Sequence, residues 1–237
     1  MENLSQFNRS AAAGSQARFD AGLRSYMLGI YRNMGIGLAI TGLVAMGVAS
    51  SPALVALIFG TPLKWVAMLA PLAFVFFFTF RIDRMTTATA RTAFFTFAAV
   101  MGVSMAAIFL VFTNTSIAMA FFTASAMFAG LSLVGYTTNR DLTGMGNFLF
   151  IGLIAVIGAS LVNLFIGSSM LQMVLSVVGV IVFAGLTAWD TQRLKSEYLA
   201  YGRSEAADKL AIMGALSLYL NLINMFQLLL NLMGERE

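Results

Sequence analysis

The chain has no cysteine and no histidine among its 237 residues. That excludes disulfides, Cys/His zinc sites and haem ligation by either side chain. It also excludes a Ser-His or Cys-His nucleophile pair, including the intramembrane serine-protease type. A Ser-Lys dyad stays formally open, but Lys64, Lys195 and Lys209 all lie at the edges of apolar segments or between them. There is no phosphate-binding loop and no metal-ligand spacing, so no enzymatic activity and no resident cofactor are expected. Charge is scarce too. Only 10% of residues are Asp, Glu, Lys or Arg, while 59% are hydrophobic, against about 25% charged in an ordinary soluble domain.

This composition, with a mean hydropathy of +0.87, is that of a polytopic membrane protein whose first partner is the lipid bilayer. Seven apolar stretches stand out, at 28–49, 63–80, 92–112, 116–136, 148–166, 171–190 and 212–233. Each is roughly 18 to 22 residues long, enough to cross about 30 Å of hydrocarbon as a helix. The expected fold is an all-α membrane protein, a single seven-helix transmembrane domain over 23–237. Residues 1–22 are polar, rich in Ala and Ser, and lack the basic-then-apolar order of a cleaved signal peptide. They are expected to form a disordered cytoplasmic tail.

The basic residues set an expected orientation. Arg9, Arg18, Arg24 and Arg32 precede or begin the first span. Arg81, Arg84 and Arg91 lie between the second and third, and Arg140 between the fourth and fifth. Arg193, Lys195, Arg203 and Lys209 lie between the sixth and seventh, leaving only Lys64 and Arg236 for the opposite side. The N-terminus is therefore expected in the cytoplasm and, with seven spans, the C-terminus outside. A re-entrant last segment would return it inside. The sequence pI of about 9.7 follows from these positive-inside loops and does not point to nucleic acid.

One acid stands apart. Asp190 ends the sixth apolar run, whereas the other acids lie in polar stretches or near the termini. A carboxylate at or within a bilayer is expensive and marks a functional site by default. The bland alternative is a solvated acid paired with Arg193 or another nearby arginine. Burial and a neighbouring guanidinium act on a carboxyl in opposite senses, and the sequence leaves the balance open. In the last run Asn221, Asn224, Gln227 and Asn231 recur at steps of three, three and four, which places them on one helix face, with Tyr219 nearby. Unpaired amides facing lipid are costly. The face is therefore expected to look into the bundle, either lining a polar path or joining helices by hydrogen bonds. The many glycines and methionines read as packing.

Four segments carry a resemblance. They are 31–42, beginning Tyr31-Arg32-Asn33-Met34-Gly35; 128–142, from Phe128 through Gly135-Tyr136-Thr137-Thr138-Asn139-Arg140-Asp141-Leu142; 183–192, ending Thr187-Ala188-Trp189-Asp190-Thr191-Gln192; and 215–226, with Leu218-Tyr219-Leu220-Asn221 at its centre. Jointly and in this order they resemble the Bax inhibitor-1 family, the transmembrane Bax inhibitor motif proteins, in its bacterial inner-membrane branch. The resemblance covers nearly all of the chain after the tail. It implies a seven-helix bundle with the last helix central and the other six around it. It also implies a pH-sensitive calcium leak across the membrane. The proposed gate is a pair of aspartates on helices six and seven sharing a proton, latched by an arginine from the second-helix region. Asp190 matches the first acid and becomes a candidate calcium contact, and Arg81 or Arg84 matches the arginine.

The second acid falls on Asn221, which cannot ionise. An Asp-Asn pair loses the coupled titration of two carboxyls and one negative charge, and calcium favours carboxylate oxygens. Depth is a further difficulty. Asp190 ends its span while Asn221 lies about nine residues into the next, roughly 13 Å. Contact requires a shifted last helix, or a sixth helix continuing past Gln192. Two function classes follow: a calcium leak channel gated around Asp190, and a non-conducting membrane modulator of an inner-membrane protease or other quality-control partner, docking through the polar tail. A retinal-type receptor is disfavoured, because the last span has no lysine for a Schiff base.

Overall fold

The computed structural model describes residues 2–202 and 204–236, with side chains from Asp20 onward. The expected tail over 1–22 therefore falls almost wholly outside the residues whose side chains are described. The elements are α1 (Glu2–Ala49), α2 (Pro52–Phe59), α3 (Leu63–Arg81), α4 (Thr87–Met105), α5 (Asn114–Thr137), α6 (Thr143–Ile166), α7 (Ser169–Tyr201) and α8 (Glu205–Met233). Short 3-10 turns follow α3 (Ile82–Arg84) and α4 (Ala106–Leu110). Among the described residues, seven helices are long and apolar enough to cross a membrane, all of those named except α2. The protein is an all-α, multi-pass membrane protein.

The helix starts are written in the sequence. Ser51, Thr86, Thr113, Ser168 and Ser204 each accept a hydrogen bond at their side-chain oxygen from the backbone N–H three residues on, satisfying a donor that the helix leaves open. Pro52 begins α2, where its missing N–H costs nothing. Gly167 closes α6 in the left-handed region at φ 67°, a conformation glycine reaches without a Cβ clash.

The last helix is the axis of the bundle. In its most apolar stretch 61% of α8 is buried, against 17% for α6. It packs against α7, α5, α1 and α4, while α3 rests chiefly on α4 and α6 chiefly on α7. The expectation of six helices around the last is corrected accordingly: α3 and α6 form an outer layer. Their exposed faces carry Phe80, Leu164 and Phe165, the surface that hydrocarbon covers.

The α8 helix also crosses the full height of the bundle. It begins just after α7 ends, and beyond its other end Glu235 is tied to the start of α5. The Thr113 N–H donates to the Glu235 carbonyl (3.1 Å) and the Glu235 N–H to Ser116 Oγ (2.9 Å).

Close helix approach depends on small residues, because lipid supplies little hydrophobic drive between helices. A Cβ on Gly135 of α5 would stand 2.2 Å from the Ala188 carbonyl oxygen of α7. Backbone cannot yield as a side chain can. Gly135→Ala is expected to pry α5 from α7 and cost about 2 kcal/mol. Thermal unfolding in detergent measures this, with Gly130→Ala, which meets nothing within 4 Å, as the neutral control.

Candidate functional site

Two features of α7 and α8 remove the depth difficulty. Both helices extend well beyond the apolar runs, α7 to Tyr201 instead of 190 and α8 from Glu205 instead of 212. Asp190 then lies about 16 Å in from the end of α7, and Asn221 about 24 Å in from the start of α8. The remaining offset is within reach of two side chains on neighbouring helices. Asn221 Nδ2 donates to Asp190 Oδ2 at 2.8 Å, and both residues are buried at 5% exposure.

Polar contacts hold the extension of α7 in place. Gln192 Oε1 accepts from the Leu142 N–H and its Nε2 donates to the Arg140 carbonyl, each at 2.8 Å. Lys195 Nζ donates to the Tyr136 carbonyl at 3.0 Å. The α5–α6 link is thus clamped onto α7 by the residues that end its hydropathy signal.

The charge partner of Asp190 is on its own helix. Arg193 Nη2 stands 2.7 Å from Asp190 Oδ1, and Arg193 Nε 3.8 Å from Glu197 Oε1. The guanidinium also lies over the Trp189 ring at 5.0 Å. Both carboxylate oxygens of Asp190 are therefore engaged, one by an amide and one by a cation, as a buried charge requires. The second contact of Arg193 is looser, since its Nε is buried without a hydrogen bond. One guanidinium thus sits between two carboxylates, close to one and slack to the other.

The structure does not bring Arg81 or Arg84 to Asp190. Both are exposed, at the end of α3 and in the 3-10 turn, and neither takes part in the ion pairs found among the described residues. The amide stripe is also uneven. Asn221 alone is buried. Asn224 is half-buried and donates back to the Leu220 carbonyl at 2.7 Å, Gln227 is half-buried, and Asn231 is exposed. Tyr219 is fully buried beside Phe94 and Phe97. Its hydroxyl lies 2.6 Å from Thr41 Oγ1, which also faces the carbonyls of Ala98 (2.8 Å) and Gly37 (3.0 Å). Thr41 has one proton and carbonyls only accept, so Tyr219 donates to Thr41. This bond ties α8 to α1, and the bond from Thr41 to Ala98 ties α1 to α4.

A hydroxyl chain adjoins Asp190. Thr191 Oγ1 donates to the Thr187 carbonyl at 2.8 Å and lies 3.0 Å from Ser132 Oγ, which in turn meets the Tyr31 hydroxyl. Sequence reasoning did not single out Glu197, Thr187, Thr191, Ser132 or Thr41. Glu197 had a signal, four residues beyond Arg193 on one helix. The hydroxyls had none that separates them from ordinary small packing residues.

Comparison with known proteins finds relatives over almost the whole chain. The model of the family described as inhibitor of apoptosis-promoting Bax1 matches residues 23–237. A protein of Rickettsia prowazekii is 44% identical over 219 residues, covering 92% of this chain and 93% of its own. A Caulobacter vibrioides protein is 40% identical over 246 residues, covering 98% of each. Inner membrane protein YbhL of Escherichia coli is 40% identical over 220 residues, covering 92% of this chain and 94% of its own. With seven helices among the described residues long and apolar enough to cross a membrane, a central last helix and a family match over residues 23–237, the chain belongs to the Bax inhibitor-1 family of membrane proteins.

Proposed function

We propose that this protein is a cation leak path, with calcium as its cargo, controlled at Asp190. The observation that carries the reading is a buried carboxylate against the central helix, held between the Asn221 amide of that helix and the Arg193 guanidinium, which is close to Asp190 and slack toward Glu197. An intramembrane acid of this kind is costly to keep and is characteristic of ion pathways. In the closed arrangement Arg193 neutralises Asp190. Transfer of the guanidinium toward Glu197 frees Asp190 Oδ1 for a passing cation. Asn221 contributes its carbonyl oxygen once its amide rotates. Calcium takes six to eight oxygens, so these two residues offer a transient contact in a wet path and not a storage site. Transport, not catalysis, is the role proposed, in a cell inner membrane with the N-terminus cytoplasmic and the C-terminus outside, as the distribution of arginine and lysine favours.

Removal of the guanidinium tests this latch. Arg193→Gln is expected to raise calcium efflux from proteoliposomes about threefold, equivalent to ~0.65 kcal/mol off the barrier. Unchanged or lower efflux would count against Arg193 as the closing group.

A second reading, a non-conducting modulator of a membrane protease, is favoured by one observation. Position 221 is not an acid and Asp190 is already neutralised. Under that reading, deletion of residues 1–22 releases the partner in a membrane pull-down. Retention of every partner would remove the docking role of the tail.

A further inference from the structure

The α1 helix packs on α4, α7 and α8, and α5 packs on α7 and α8. Between α1 and α5 this leaves a lateral slot of about 510 Å³. Buried Met27 and Phe128 form its floor, while Leu28 and Leu133 stand at its rim, 56% and 62% exposed. The rim thus belongs to the lipid-facing surface. At one end is Arg24, exposed and absent from the ion pairs among the described residues. At the other, about 10 Å further along α1, are Tyr31 and Ser132.

The direction of the hydroxyl chain can be deduced. Thr191 spends its proton on the Thr187 carbonyl, so Ser132 donates to Thr191 and Tyr31 donates to Ser132. The deep end of the slot has no proton left to donate and exposes only acceptor capacity. An anionic group there would meet no donor, so an anion is held at the outer end, where Arg24 is the one cation among the lining residues, which also include the Tyr136 hydroxyl.

We propose that the slot binds an anionic phospholipid, with its phosphate on Arg24 and one acyl chain lying between Leu28 and Leu133 toward Tyr31. Charge complementarity selects this occupant. A zwitterionic lipid carries the same phosphate but also a headgroup cation that offsets its pull on the guanidinium, and a free inorganic anion leaves the apolar walls unfilled. An arginine at a membrane surface of anionic lipid contributes about a fivefold preference.

Native mass spectrometry of the full-length protein, released from detergent with phosphatidylglycerol or phosphatidylcholine, provides the test. The wild type is expected to retain phosphatidylglycerol in preference. Arg24→Gln should cut that preference about fivefold. Ala129→Phe, at an exposed slot residue, should lower retention of both lipids by filling the slot. Arg140→Gln, at an exposed arginine outside the slot, should change nothing. Equal retention of the two lipids by the wild type, or an unaltered preference in Arg24→Gln, would overturn the proposal. So would displacement of the lipid by inorganic phosphate alone, or a dimer that Ala129→Phe abolishes.

Discussion

Replacing Asn221 by aspartate is expected to make calcium flux rise about tenfold between about pH 5 and pH 8, equivalent to roughly 1.4 kcal/mol of barrier, where the wild type changes little. The reason is the 2.8 Å contact between Asn221 and Asp190. An amide cannot ionise, so the wild-type site holds a single carboxyl, ion-paired with Arg193, and no coupled pair. Two carboxyls at that distance cannot both ionise cheaply, so they titrate as a pair. At the acid end they share a proton, and a hydrogen bond closes the α7–α8 seam. At the alkaline end the proton leaves and two negative charges face each other, only one of them neutralised by Arg193. Repulsion then opens the seam, and two carboxylates replace one as calcium ligands. A flat profile in Asn221→Asp proteoliposomes would show that the seam does not gate.

The second large effect concerns Asp190 itself. Asp190→Ala removes the acceptor for Asn221 Nδ2 and the close partner of Arg193. Breaking one side of a buried pair costs about 3–5 kcal/mol, mostly from the charge left behind. The Arg193 side chain is 37% exposed, and water recovers part of that loss, so about 3 kcal/mol is expected. A double-mutant cycle isolates the origin. If the stranded guanidinium is the cause, the Asp190→Ala, Arg193→Gln double variant is more stable than Asp190→Ala alone. If it is less stable, the cost lies in packing around position 190 and the ion pair contributes little. Chemical denaturation followed by circular dichroism distinguishes the two.

The family, the apolar helices and the buried position of Asp190 were legible because each rests on a strong local signal. Hydropathy marks seven runs, and the polar interruptions between them are sharp. Helix ends were less legible where tertiary contacts carry a helix past its apolar run. Gln192, Arg193 and Lys195 read as the start of a loop, yet Gln192 and Lys195 bond to the α5–α6 link and the end of α5, and the helix continues to Tyr201. That continuation brings Asp190 to Asn221. The exposed positions of Arg81 and Arg84 depend on where the end of α3 comes to lie, which no local pattern records, whereas Arg193, the partner found, was named only in the reading of a solvated, ion-paired acid. The amide stripe was correct as a periodicity. Burial does not follow the stripe, however: Asn221 is enclosed, Asn224 and Gln227 are half-buried, and Asn231 is exposed beside buried Leu229 and Leu230.

The central claim is that Asp190 controls cation passage through the bundle. Calcium efflux from proteoliposomes at one pH, with equal protein incorporated, tests it most directly by comparing wild type with Asp190→Ala. The account predicts a measurable wild-type leak that is lost when the carboxylate is removed. Equal efflux from the two proteins would contradict it.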